Sequence, residues 1–239
     1  MTMTGDETEA ILAEQTEYYR TRGAVSDDWF YRRGRYDRGP IINRQWFREG
    51  VELVQAVFDF DIRGKVLELG GGTGYWTQHL VMGADHVTVV DVSAESIAAS
   101  RKRLGPFVQK VKYIEADVYR WHPTERYDVV FFAFWLTHVP PDRFERFWAF
   151  VRSALVPRGR VFLIDNLRSK NGIAVDHELP GEGEVVAIRK RHGREYRVFK
   201  IFYTVSSLTQ RLRGLGWETD FRATRDFFLY GSAQWRGLD

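Results

Sequence analysis

The stretch Val66-Leu67-Glu68-Leu69-Gly70-Gly71-Gly72-Thr73-Gly74-Tyr75-Trp76 decides the fold. Its apolar head, Lys65–Leu69, reads as a short buried strand. Glycines follow at once, and Tyr75–Val81 opens a helix. A strand that meets glycines at its carboxyl end and then turns into a helix is the ligand-binding turn of an open α/β sheet. Ligands bind there, outside the strand ends, where the strand order reverses. Glycine lets a ligand approach the backbone closely. A second apolar run, His86–Val90, ends at Asp91, whose carboxylate can accept two hydrogen bonds from a ribose diol.

Two nucleotide-binding readings of the glycines fail. A phosphate-cradling loop needs a Gly-Lys-Ser/Thr ending, but these glycines run into Tyr75-Trp76. The dinucleotide fingerprint Gly-x-Gly-x-x-Gly has its sixth position at Tyr75 or at Thr77, neither of them glycine. What fits is Glu-x-Gly-x-Gly-x-Gly, met by Glu68, Gly70, Gly72 and Gly74.

The pattern extends outward on both sides. Ser93 reads as an N-cap, with Ile97 and Leu104 on the inner face and Gly105-Pro106 as the stop. Val111–Ile114 is a third strand, and Tyr127–Phe134 a fourth with the continuous apolar character of a central parallel strand. Pro140-Pro141 opens a helix with Phe144, Phe147, Trp148, Val151, Ala154 and Leu155 at a period of 3.6. Arg160–Ile164 is a fifth strand ending at Asp165. Glu184–Lys190 and Glu195–Tyr203 read as an antiparallel hairpin joined through His192-Gly193. A helix at Ser207–Leu215 and strands at Trp217–Arg222 and Phe227–Tyr230 complete the chain. At the other end, residues 6–22 read as a helix with Asp6 and Glu9 as a capping box and a face of Ile11, Leu12, Gln15, Tyr18 and Tyr19. Residues 23–40 read as a loop. A helix at 43–59 carries Trp46, Phe47, Val51, Val54 and Phe58.

The glycine motif resembles motif I of the class I methyltransferases that use S-adenosylmethionine (SAM). Asp91 resembles the family's ribose-binding acid, Ala116-Asp117-Val118 its adenine-contacting segment, and Tyr127-Asp128-Val129-Val130 through Phe134-Trp135 its motif IV. The likeness covers about residues 64–165, and the trailing helix and two strands also match. Trp135-Leu136-Thr137-His138-Val139-Pro140 and Phe227-Phe228-Leu229-Tyr230-Gly231 look like segments of bacterial small-molecule methyltransferases, many of which act on natural products.

The resemblance implies a doubly wound, mostly parallel, seven-stranded sheet in one domain, residues 1–239. It divides into an N-terminal helical lid (1–60), a cofactor-binding core (61–167), a substrate-side insertion holding the hairpin (168–204), and the last helix and strands (205–239). It implies SAM as cofactor, contacted by Tyr19, Glu68, Gly70, Gly72, Thr73, Gly74, Trp76, Asp91, Val92, Asp117, Val118 and Phe134. Glu68 lies near the methionine part or orients the glycine loop. Acceptor contacts are expected from Tyr36, Trp135, His138, Asp165 and Asn166. Methyl transfer from a sulfonium requires alignment, exclusion of water and sometimes removal of a proton, so no universal catalytic residue is implied. His138, after the fourth strand and with an ordinary pKa near 6.5, is the candidate general base. His177 with Glu178 is a second candidate, and His79, His122 and His192 read as surface or turn residues. Tyr18, Tyr31, Arg35 and Trp46 of the lid segment are further candidates for contact, against ordinary packing over the sheet.

The expected activity is methyl transfer to oxygen or nitrogen of a small molecule, in secondary metabolism. The alternatives are transfer to carbon, a nucleic-acid methyltransferase, a non-catalytic SAM-binding protein and, last, a nicotinamide oxidoreductase. Composition bounds these readings. With 239 residues and 44% hydrophobic content the chain affords a full core. The absence of cysteine excludes disulfides, thiolate metal sites and cysteine nucleophiles. Residues 1–10 do not read as a signal peptide, and no apolar run approaches a membrane span. A cytoplasmic, bacterial protein without metal, nucleic-acid or membrane partners is expected, with a homodimer as the assembly open to it. Net charge is only +3, but Arg32, Arg33, Arg35 and Arg38 cluster early, and Arg189–Lys200 forms a second basic group. Both read first as solvated faces and Arg stems over aromatics, and second as attractors for an anionic substrate or nucleic acid.

Overall fold

A computed structural model describes residues 3–23, 26–191 and 193–237. His192, expected in a turn, lies outside the described residues. Seven strands form one sheet: β1 (Lys65–Leu69), β2 (His86–Asp91), β3 (Val111–Glu115), β4 (Tyr127–Ala133), β5 (Leu155–Asn166), β8 (Trp217–Ala223) and β9 (Phe228–Trp235). Their order is β3-β2-β1-β4-β5-β9-β8, parallel throughout except for β9, which is antiparallel to both β5 and β8. The strand order reverses at β1, which pairs with β2 on one side and β4 on the other, so the glycine turn after Leu69 stands at the switch point.

The central strands bury both faces, and their residues divide by parity. Leu67, Leu69, Val130 and Phe132 face a core with Phe144, Phe147, Trp148 and Val151 of α6 (Phe144–Ala154). Val66, Val87, Val129 and Phe131 face the other, with Trp46, Leu53 and Val57 of α3 (Pro40–Asp59) and Leu80 of α4 (Thr77–Gly83). This two-residue alternation between two buried faces is why the strands read as continuous apolar runs. The covering helices also include α5 (Ala94–Leu104), capped by Ser93, whose side chain accepts from the Ser96 N–H, and α7 (Val205–Arg213), with a Thr204/Ser207 capping box.

Several sequence expectations are corrected. The N-terminal helix, α1 (Gly5–Arg22), is capped by Thr4, which accepts from the Glu7 N–H, and not by Asp6. The expected loop at 23–40 holds a short helix, α2 (Ser26–Phe30), and a 3-10 turn at Gly34–Tyr36. Pro141–Arg143 forms a 3-10 turn before α6 begins. On α3 the helical spacing is right but the inward face is not. Trp46, Glu49, Gly50, Leu53 and Val57 are buried, while Phe47, Val51 and Phe58 are exposed. A buried carboxylate on the inner face misled the apolar pattern. Glu49 accepts from the Thr224 hydroxyl and from the N–H groups of Asp226 (3.1 Å) and Phe227 (2.9 Å), tying α3 to the turn before β9.

The hairpin, β6 (Val186–Arg191) and β7 (Arg194–Phe199), is a separate two-stranded sheet and ends at Phe199 rather than Tyr203. α1 lies across it. Tyr18 packs with Tyr196 and Val198, and Ile11 and Leu12 pack with Phe199. Glu14 holds Arg197 by its backbone N–H (2.8 Å) and its guanidinium (2.6 Å). Gln15 accepts from the Phe199 N–H (3.0 Å) and donates to the His138 carbonyl (3.1 Å). The lid helix and the hairpin therefore form one roof over the carboxyl ends of the strands.

Candidate active site

The turn after β1 is built for close approach. Gly70 (φ +68°) and Gly72 (φ +54°) adopt the left-handed region that favours glycine. A Cβ on Gly70 would come within 2.8 Å of the Trp135 ring, whereas one on Gly72 would meet open space. The turn is tied to β2 by the Gly70 N–H, which donates to the Val90 carbonyl (2.8 Å). The Asp91 carboxylate accepts from the N–H of Gly72 (2.8 Å) and from that of Ser93 (2.9 Å). A carboxylate has about four acceptor positions, so two backbone donors leave capacity for a diol. Burial raises the Asp91 pKa against the lowering effect of those backbone donors.

A single cavity joins this turn to the roof. Of the expected cofactor contacts, Tyr19, Gly70, Gly72, Thr73, Trp76, Asp91, Val92, Asp117, Val118 and Phe134 line it. Glu68 and Gly74 do not. Gly74 packs against Ser100, and Glu68 is buried, accepting from the Thr77 hydroxyl at 2.6 Å. Of the two roles expected for Glu68, this geometry fits the second, a brace between β1 and the start of α4. Burial pushes its pKa up to about 8. Between about 4.5 and about 8 the folded state therefore binds a proton that the unfolded chain releases, so stability falls as pH rises through that window. Glu68→Gln is expected to flatten the decline, measured as urea midpoints from pH 5 to 8. A wild-type midpoint that does not fall across this range would contradict the shift.

Phe134 follows β4 with φ +58°, uncommon for an aromatic residue, and its N–H donates to the Ile164 carbonyl at 2.7 Å. The next residue, Trp135, lies over Gly70. Trp29 of α2 packs edge-on against Phe134 and donates from Nε1 to the Gly172 carbonyl (2.9 Å), binding lid and insertion together. Asp27 accepts from the Thr73 hydroxyl and from Arg103, fixing α2 to the glycine turn.

His138 lies in the cavity wall, 8% exposed. Its Nδ1 is 2.7 Å from the Phe199 carbonyl, which can only accept, so Nδ1 carries the hydrogen. Nε2 then accepts from the Tyr19 hydroxyl at 2.7 Å. Burial, and after it the charge of Lys200, hold His138 well below its ordinary pKa, so the ring is neutral. Tyr19 is raised above its ordinary value by burial. His177 also lines the cavity, but its Nε2 accepts from Arg35 at 2.6 Å, and burial lowers it to about 4. That occupied lone pair makes it a poor proton acceptor.

Of the expected acceptor contacts, Tyr36, Trp135, His138 and Asn166 line the cavity, and Asp165 does not. Its oxygens accept from the N–H groups of Thr137 (2.9 Å) and Asn166 (2.7 Å), so it braces the end of β5 against the turn that carries His138. Trp46 is core, donating to the Phe30 carbonyl, and Tyr31 is exposed, whereas Tyr18 lines the cavity. Arg35 pairs with Asp176 at 2.6 Å, and Arg32 stacks over Trp46. His79, on α4, is half-buried, packing beside Phe58, Tyr75 and Trp76. His122 is exposed. The sequence reading missed Arg22, Trp29 and Phe202, all of which line the cavity. It noted Arg189 and Lys200 only as a basic group favouring a solvated face, yet both are buried there. Among the described residues no helix is long and apolar enough to cross a membrane, and no three His, Asp or Glu residues gather as for a metal ion.

Residues 66–159 match the model of a methyltransferase domain. The chain is 35% identical to DhpI in its complex with S-adenosylhomocysteine (SAH), covering 94% of this chain and 97% of that one with a TM-score of 0.75. It is 34% identical to DhpI in a complex with SAM and HEP, covering 97% and 99%, again with a TM-score of 0.75. The N-terminal Xaa-Pro-Lys N-methyltransferase 1 of Danio rerio is 30% identical over 116 residues, 47% of this chain, and the chain spans about half, 52%, of that curated relative. The 1,6-didemethyltoxoflavin-N1-methyltransferase of Burkholderia thailandensis shares the fold, with a TM-score of 0.64 over 99% of this chain and 92% of that one at 18% identity. Together with a glycine turn at the switch point and a buried acid one strand over, the match to DhpI along nearly its whole length shows that this chain belongs to the SAM-dependent methyltransferases and takes SAM as its cofactor.

Proposed function

We propose that the protein transfers a methyl group to an oxygen or nitrogen of a small organic molecule, in secondary metabolism. The observation that carries this reading is a single roofed cavity whose wall includes both the glycine turn with Asp91 and the Tyr19–His138 pair. The Gly70–Gly72 backbone would lie against the methionine part, Asp91 would hold the ribose, and Asp117 and Val118 would face the adenine. When bound, SAM supplies a methyl group on a positively charged sulfur that is already a good leaving group.

The chain contributes alignment, exclusion of water and a path for a proton. Tyr19 donates its hydrogen to His138 Nε2 and keeps lone pairs free toward the cavity. A proton leaving an acceptor hydroxyl or ammonium can arrive on the Tyr19 oxygen while the phenolic hydrogen passes to Nε2. The Phe199 carbonyl then holds the resulting imidazolium from its other side. Trp29 ties α2 to the insertion at Gly172, and Asp27 ties it to the glycine turn at Thr73, so the roof is held on both sides. A structure of DhpI is a complex with both SAM and HEP, which is consistent with a two-part cavity here. The location of the cations favours a small acceptor over nucleic acid, because Arg189 and Lys200 are buried inside the cavity rather than spread over an exposed face.

The test is transfer of isotopically labelled methyl from SAM to a panel of phenols, alcohols, amines and acids, beside RNA and DNA. Label on oxygen or nitrogen of a small acceptor is the expected result. Label on carbon alone or on nucleic acid alone would replace the reading, and tight SAH uptake with no transfer would leave a SAM-binding protein without catalysis.

A further inference from the structure

Three cations line the acceptor side of the cavity, each outside any ion pair among the described residues. Arg22 closes α1, Arg189 lies on β6 and Lys200 follows β7. Arg189 and Lys200 are 7% and 6% exposed, and Arg22 is half-buried. Arg189 donates only to carbonyls, those of Ile188 (3.1 Å) and Glu178 (3.4 Å), and Lys200 donates to the Thr137 hydroxyl (3.0 Å). Among the described residues none of the three forms an ion pair with a carboxylate. Asp165 lies near Lys200 and offsets part of its charge, but it makes no ion pair with it. Asp28 is the acid whose charge is felt at Arg22, and the cavity around these cations is otherwise furnished with phenols, Tyr18, Tyr19 and Tyr36. Arg35, by contrast, is matched by Asp176.

Buried charges of one sign are expensive, several kcal/mol per ion after relaxation, and these three act on one another. Burial lowers Lys200 to about 8 against the raising effect of Asp165, with Arg189 and Arg22 adding to the drop. Such a cluster in a ligand cavity, with donors unspent, matches an oxyanion, which a guanidinium fork and an ammonium bind through charge-assisted hydrogen bonds.

We infer that the acceptor carries an oxyanionic group, a carboxylate or a phosphoryl-type head, that docks on Arg22, Arg189 and Lys200. The inference rests on the methyl-transfer reading of the same cavity and narrows it to acidic small molecules. It also gives the neutral state of His138 a purpose. Lys200, Arg189 and Arg22 all disfavour the imidazolium, so an anion that offsets them makes His138 a better proton acceptor when an acceptor is in place. Neutral analogues of the same shape would be poorly bound and leave the base weak.

The test is calorimetric titration of SAH-loaded protein with inorganic phosphate and with acetate, each beside its uncharged counterpart, trimethyl phosphate or acetamide. One saturable site for an anion and none for the neutral molecules is expected. A preference for phosphate identifies a phosphoryl-type head, and a preference for acetate a carboxylate. Arg189→Gln and Arg22→Gln should each weaken anion binding at least about tenfold while SAH affinity stays within about twofold. Arg22 is the partly exposed member, so its replacement spares the core. SAH binding without anion uptake, or undiminished uptake in Arg22→Gln, overturns the inference alone. Failure to bind SAH overturns it together with the methyl-transfer reading.

Discussion

His138→Ala is expected to lower kcat by about a hundredfold or more, within the range that positioned general bases contribute, while changing SAH affinity by less than about twofold. His138 bridges the Tyr19 hydroxyl and the Phe199 carbonyl, so its loss removes the proton's destination and leaves both partners without a hydrogen bond. The split between kcat and cofactor affinity separates this from a general loosening of the roof, which would weaken both. Tyr19→Phe should reproduce the loss, because it cuts the same path one atom earlier. Stopped assays at saturating SAM decide the matter; unaltered turnover in either variant would remove the pair from proton transfer.

Asp91→Ala should raise the Kd for SAH at least about tenfold, which is about 1.4 kcal/mol. Two losses add. The ribose diol loses its acceptor, and the N–H groups of Gly72 and Ser93 lose the carboxylate that holds the glycine turn in shape. Asp91→Asn should fail almost as badly, since an amide oxygen can replace only one of the two acceptors and the amide nitrogen would face a donor. Calorimetry on protein with unchanged circular dichroism is the measurement. An Asp91→Ala variant that bound SAH as tightly as the parent would mean that the sugar is gripped elsewhere.

The sheet was legible because its signals are local. β1, β2 and β4 are apolar runs bounded by glycine or acid, and both of their faces are buried, so no alternation had to be resolved. The cofactor turn was legible for the same reason: glycine spacing and Asp91 sit within a short stretch of chain. What the sequence hid depends on tertiary partners. Phe47, Val51 and Phe58 look like a core face, but Glu49 turns inward because Thr224 and the N–H groups of Asp226 and Phe227 satisfy it from far along the chain. Asp165 looks like a ligand at a strand end, yet two backbone N–H groups claim it. Arg22 carries no pattern in sequence at all; only the packing of α1 on the hairpin brings it beside Arg189 and Lys200.

The stitching of Glu14 to Arg197 and of Gln15 to Phe199 carries an evolutionary consequence. On the proposed reading, the nucleoside would rest on the shared sheet, whereas the acceptor would sit beneath a ceiling of two chain segments far apart in sequence that bind each other. A transplant of residues 168–204 alone from a homologue would arrive without its matching helix and should leave the ceiling ajar. Only a joint exchange with residues 1–23 would carry the donor's acceptor preference across while the host kept its grip on SAM. Acceptor choice should therefore move between homologues only when both segments move together.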